Sequence, residues 1–155
     1  MSYAPGTFGR SRYPGITFRS GDMVEHECLL AGYKTTVLVG PAVAGGASFD
    51  PGNHSIAGLS RTIKFKAVLS TTDVTKTARV WLYSLSDSAT IGYLSSTSLS
   101  PELLTLTLSV GAIGPPSQIP DAERQYELRL YLVGSDGIEQ AILHKASIDV
   151  LHTAP

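Results

Sequence analysis

The chain has 155 residues, 43% apolar and only 16% charged, with a formal net charge of −1. That length carries one domain with a sizeable core, and that balance gives no global field to recruit nucleic acid. Eighteen consecutive apolar residues occur nowhere, so no membrane helix is expected, and Cys28, the single cysteine, excludes an internal disulfide framework and fits a reducing compartment.

Residues 1–22 are predicted to form an extended N-terminal arm. The stretch YAPGTFGRSRYPGITF at 3–18 spaces Tyr3, Phe8, Tyr13 and Phe18 five residues apart, with Arg10 and Arg12 among them and Arg19 directly after. Residues 1–21 hold those three arginines and no acid, whereas the remainder holds nine basic and thirteen acidic side chains. So much Pro and Gly forbids a helix or a central strand. Ordering such a segment costs about 1–2 kcal/mol per residue, so its rings make sense as anchors on another surface, with the arginines paired to acids there. The competing reading wraps the arm back on its own domain. The N-terminus lacks an apolar h-region, so a secretory signal is not expected; with the small size and a start at Met1, this favours a free-standing intracellular product over an excised module.

Residues 23–155 read as one β domain. At His26-Glu27-Cys28 a strand would put His26 and Cys28 on one face, but two ligands do not make a metal site, and His54, His144 and His152 offer no matching spacing. A buried Cys beside a surface His is the simpler expectation, with no metal or cofactor. Residues 37–39 are a predicted strand, and 40–60 an ordered loop or two weak short strands, Gly45-Gly46 being a flexible pair. Asp50-Pro51-Gly52-Asn53 is a turn by its chemistry and lacks the acid spacing of a calcium loop.

Strict alternation follows. Ile63, Phe65, Ala67 and Leu69 share a face, as do Ala78, Val80 and Leu82; Leu104, Leu106, Leu108 and Val110; and Tyr126, Leu128, Leu130 and Leu132. The leucines of 103–110 and 126–133, Leu106 among them, are the predicted core. A Pro-rich crossing loop covers 114–121, and 120–125 (PDAERQ) is the best short-helix candidate. Gly134-Ser135-Asp136-Gly137 is a predicted hairpin loop, followed by strands at 138–143 and 146–151. Seven or eight such strands predict an all-β fold, an antiparallel β-sandwich of jelly-roll-like type.

Catalytic machinery is not evident. Gly58-Leu59-Ser60-Arg61 lacks the closing Gly of a nucleophile elbow, no phosphate-binding Gly-rich loop is present, and Glu25 with Glu27, and Glu123 with Glu127, read as solvated. More telling is the face opposite the core. Arg79, Trp81, Tyr83, Arg129 and Tyr131 all project from it, giving aromatic and guanidinium groups on a nominally wet sheet. Three readings compete: cover by the chain's own arm or a loop, a protein–protein interface, or a sugar-stacking platform.

The run Arg79-Val80-Trp81-Leu82-Tyr83-Ser84-Leu85-Ser86-Asp87, then Leu108-Ser109-Val110-Gly111, then Tyr126-Glu127-Leu128-Arg129-Leu130-Tyr131 resembles the β-sandwich structural proteins of tailed bacteriophages, capsid cement (decoration) proteins and some tail components. The resemblance spans 63–150, is one of strand texture, and brings no catalytic residues. It implies a non-enzymatic virion protein that binds and stabilises an assembled shell, with the major capsid protein or other virion proteins as partners. It further implies a homo-oligomer, a trimer favoured; from the charge balance and the lack of a long apolar run, no nucleic-acid or membrane partner is expected. The competing expectations are a tail or baseplate component recognising host glycan, a carbohydrate-binding module using Trp81, Tyr83 and Tyr131, and an accessory domain of an enzyme.

Overall fold

The computed structural model describes residues 23–37, 39–111, 117–134 and 136–154. The arm at 1–22, with Tyr3, Phe8, Arg10, Arg12, Tyr13, Phe18 and Arg19, lies outside the described residues. Among the described residues ten strands run in order: β1 (Met23–Ala31), β2 (Lys34–Thr36), β3 (Ala42–Phe49), β4 (Ser60–Thr71), β5 (Thr77–Ser84), β6 (Ala89–Ser96), β7 (Glu102–Val110), β8 (Gln118–Ile119), β9 (Arg124–Val133) and β10 (Ala141–Thr153). A 3-10 turn at Pro51–His54 follows β3, with the Asp50 carboxylate accepting from the Gly52 amide.

Two sheets result. One has the order β1-β10-β4-β7-β8, with β2 also on β10; the other is β3-β9-β5-β6. All pairings are antiparallel except β7 with β8. Counting the eight long strands alone, the sheets read first-eighth-third-sixth and second-seventh-fourth-fifth, which is the strand order of a jelly roll. The predicted antiparallel β-sandwich is therefore what forms.

Alternation built the core as the sequence indicates. Ile63, Phe65, Ala67 and Leu69 of β4, Ala78, Val80 and Leu82 of β5, Tyr126, Leu128, Leu130 and Leu132 of β9, and Leu143, Ala146, Ile148 and Val150 of β10 are all buried between the sheets. Leu104 and Leu106 point the same way but are only half-buried. The expectation of a fully buried Leu106 is thus corrected: β7 lies near the margin of its sheet, beyond which only two-residue β8 pairs. Leu106 packs instead over Gly92 of β6, where any side chain would strike its Cδ2 at 2.6 Å.

Several boundaries differ from expectation. The strand expected at 37–39 is Lys34–Thr36, because pairing ends where Thr36 meets Ala141, the first residue of β10; Leu38 lies outside the described residues. The weak region 40–60 holds a full strand, β3, secured by seven paired positions with β9. Gly45-Gly46 is not a flexible pair: a Cβ at Gly45 would lie 2.5 Å from the Leu30 carbonyl oxygen of β1, and one at Gly46 would collide with the Tyr126 carbonyl oxygen. These glycines let β3 approach its neighbours closely. The short helix expected at 120–125 is a bend entering β9, where Arg124 is already paired with Phe49 and the Gln125 carbonyl accepts from the Leu85 amide. The two strands expected at 138–143 and 146–151 are one, β10, interrupted by a bulge between Leu143 and Lys145.

One buried polar group is unsatisfied in the middle of this core. The Tyr126 hydroxyl is buried without a hydrogen-bond partner among the described residues, and burial pushes its pKa up to about 12. Replacing Tyr126 by Phe removes an orphan group whose burial costs about 1–3 kcal/mol, so the urea midpoint of Tyr126→Phe is expected to equal or exceed that of the wild type. Leu128→Ala is expected to cost about 2–5 kcal/mol by cavity formation and Leu106→Ala distinctly less, both read from denaturant unfolding.

Candidate functional site: the outer face of the four-stranded sheet

Because inner faces take the leucines, the pleat turns the alternate residues of β9 and β5 outward. The register aligns them in rows. Ser95, Arg79 and Tyr131 form one, Tyr93, Trp81, Arg129 and Val43 the next, and Thr90, Tyr83, Glu127 and Gly46 a third.

Guanidinium and ring groups interlock along these rows. The Arg129 guanidinium lies 3.6 Å from the Tyr83 ring centroid, and that of Arg79 lies 4.6 Å from Tyr93 and 5.8 Å from Tyr131. Such cation–π contacts contribute about 0.5–1 kcal/mol each where exposed and more where dry. Arg79 also donates from Nε to Ser95 Oγ at 2.9 Å and from Nη1 to Tyr131 Oη at 3.1 Å. Arg129 donates to Glu127 at 2.8 Å, so Glu127 is a half-buried ion-pair partner and not the solvated acid expected. Trp81 meets Tyr131 edge to face at 5.2 Å, and its buried indole N–H has no acceptor among the described residues.

The sequence singled out Trp81, Tyr83 and Tyr131, with Arg79 and Arg129, and the structure brings them together. It missed Tyr93 and Val43, which are 52% and 68% exposed on the same face, because β6 and β3 were not legible as strands. Exposed Leu85 and Val133 extend the apolar area.

The outer face of the six-stranded sheet is chemically different. A groove of about 260 Å³ there is lined by Glu25, Glu27, Lys66, Lys145, Ser147 and Asp149. Lys66 bridges Asp149 at 3.0 Å and Glu25 at 3.3 Å, and Lys145 meets Glu27 at 2.8 Å. Burial raises the Asp149 pKa, but hydrogen bonds from Ser147 and Lys66 outweigh it and hold the carboxyl below its usual value. Glu25 and Glu27 are exposed, as expected, and their charges are matched by lysines.

The histidines give a further correction. His26, His54 and His152, which share no spacing in sequence, meet at one end of the sandwich. His26 stacks on His54 at 4.4 Å, Phe49 stacks on His54 at 5.1 Å, and His152 Nε2 donates to the His54 carbonyl. His152 is 2% exposed and its Nδ1 has no partner among the described residues. Cys28 is half-buried, its thiol 4.0 Å from the Ser48 carbonyl, and burial raises its pKa. Among the described residues no three His, Cys, Asp or Glu side chains are placed to share a metal ion.

No protein-family model matches the chain, and no curated protein matches it. Several solved structures are similar to it at low identity. They include the infectious bursal disease virus VP2 subviral particle (15% identity, TM-score 0.43, 91% of this chain and 36% of that one). T=1 particles derived from the same virus are similar (14% identity, TM-score 0.43, 90% and 39%), as is the Gx strain (15% identity, TM-score 0.41, 85% and 29%). The chain spans less than two fifths of the length of these viral chains. Likeness at this level carries no argument about fold or function.

The histidine cluster makes stability pH-dependent. Burial, and then the neighbouring His26 and His152, lower the His54 pKa below its ordinary 6.5. The unfolded chain therefore takes up this proton first as pH falls. Stability is full above about 6.5 and declines below it until the folded-state pKa is passed. Thermal unfolding of the wild type is expected to fall between pH 7 and pH 5, and His54→Gln to flatten that slope.

Proposed function

We propose that this chain is a non-enzymatic structural component of a virus particle, a jelly-roll module that attaches to an assembled shell as a cement or decoration protein. Its partners are then the major capsid protein and further copies of itself. The observation that carries the reading is the aromatic–guanidinium face of β3-β9-β5-β6. Trp, Tyr and Arg are the residues enriched where protein surfaces meet. Here they are held in fixed positions by one another, so little side-chain entropy remains to be lost on docking. The strand-texture resemblance of residues 63–150 to tailed-phage structural proteins supports the same reading.

Jelly rolls also serve lectins and metal-binding enzymes, and fold alone does not choose among them. An enzyme of that kind needs polar ligands converging inside the sandwich, whereas the interior described here is packed with Leu, Ile, Ala and Phe. A lectin needs an uncovered ring face for a pyranose. One face each of Tyr83 and Tyr93 is taken by a guanidinium, and Trp81 is engaged by Tyr131. Stabilisation of the shell would follow from binding the assembled state in preference to free subunits.

The test is co-sedimentation with gradient-purified particles of the virus that encodes the chain. The protein is expected in the particle fraction, and Arg129→Glu with Tyr93→Ala to lower its occupancy at least about tenfold, a loss of roughly 1.4 kcal/mol, without unfolding the sandwich. A protein that stays wholly in the soluble fraction contradicts the reading. So does a saturable change in Trp81 fluorescence on titration with host surface polysaccharide.

A further inference from the structure

We propose that β7 is a strand-pairing edge, and that its occupant is β7 of a second copy of this chain, antiparallel about a two-fold axis centred on Thr105. This does not rest on the virion reading. β7 pairs with β4 from Glu102 to Leu108, while on its other side β8 reaches only Ser109 and Val110. Among the described residues no strand covers that side of 102–108.

The direction of the free hydrogen-bonding groups is fixed by neighbours. The Ser109 amide donates to the Ser117 carbonyl and the Gly111 amide to the Ile119 carbonyl, so odd-numbered residues of this strand aim their backbone groups away from β4. By the two-residue period, Leu103, Thr105 and Thr107 aim an N–H and a C=O each toward the open side. A two-fold axis at Thr105 pairs Thr105 with Thr105 of the second copy and Leu103 with Thr107, all in the hydrogen-bonding phase. That makes about six backbone bonds.

The side chains fit the same occupant. Natural sheets protect open edges with charge, proline or bulges; from Leu103 to Val110 this strand has no charged residue and no proline. Glu102 falls opposite Leu108 of the second copy, so no like charges meet. Leu103, 63% exposed on the outer face, packs beside a threonine across the junction. On the inner face, the half-buried Leu104 and Leu106 come to lie against Leu106 and Leu104 of the second copy. The two leucines that pack against the core only in part are thus ones that self-pairing covers.

The experiment is sedimentation equilibrium of the full chain up to about 1 mM, with three variants. Wild type is expected to dimerise reversibly. Thr105→Pro removes the amide at the axis while sparing the bonds to β4, and Leu103→Lys adds the missing edge charge; each is expected to raise Kd at least about tenfold. Unchanged thermal unfolding establishes that each variant is folded, and Leu103→Lys, at an exposed position, serves if Thr105→Pro is not. Thr105→Cys in a Cys28→Ala background is expected to oxidise to a covalent dimer, since hydrogen-bonded partners stand about 5.5 Å apart between Cα atoms. A monomer at every concentration overturns the proposal. So does a dimer indifferent to Leu103→Lys that fails to cross-link. A monomer whose 103, 105 and 107 amides resist hydrogen exchange also overturns it, by showing that the chain's own residues fill the edge.

Discussion

The whole molecule depends on one constraint, that β4, β5, β9 and β10 each turn a continuous apolar face toward a single shared interior. β10 shows it most plainly. Over thirteen residues it pairs with β1, β2 and β4, and it keeps Leu143 inward before the bulge and Ala146, Ile148 and Val150 inward after it. Without the bulge one half of the strand would present its core residues to water, since a one-residue slip exchanges the faces. With the interior phase fixed on β5 and β9, the outward phase is fixed too. Arg79, Trp81, Tyr83, Arg129 and Tyr131 have no alternative but to share one surface.

That surface and its counterpart on the other sheet show how differently two outer faces can be finished. Over β1, β10 and β4, lysines pair with carboxylates, one of them the buried Asp149 and others exposed, as at Lys145 with Glu27; the exposed pairs contribute about 0–1 kcal/mol. Over β9 and β5, rings and guanidiniums pack on each other, and one polar donor, the Trp81 indole N–H, is buried without an acceptor among the described residues. A face that is partly desolvated before any partner arrives loses less hydration on docking, which is why a protein contact suits it better than bulk water does.

The strict alternations at 63–69, 78–85 and 126–133 made the core and the outward ring cluster readable from sequence, because period-2 patterning is a local property. What escaped were places where the period breaks or a neighbour decides. β10 looked like two strands because its bulge reverses the phase at Lys145. β3 and β6 carry Gly45, Gly46 and Gly92, whose small size is demanded by contacts with Leu30, Tyr126 and Leu106 from distant parts of the chain, and this hid Val43 and Tyr93 from the site. The histidine cluster is non-local in the same way: His26, His54 and His152 meet only once β1, the 3-10 turn and β10 are side by side.

The central claim, that the β3-β9-β5-β6 face is where this protein meets another protein, is tested most directly by hydroxyl-radical footprinting of the free chain and of the chain bound to particles. The account predicts that labelling of Tyr93 and Val43 falls sharply on assembly, while exposed residues of the opposite sheet such as Leu29 keep their reactivity. Equal labelling of Tyr93 and Val43 in the two states, with protection appearing on the lysine–carboxylate face, would contradict it.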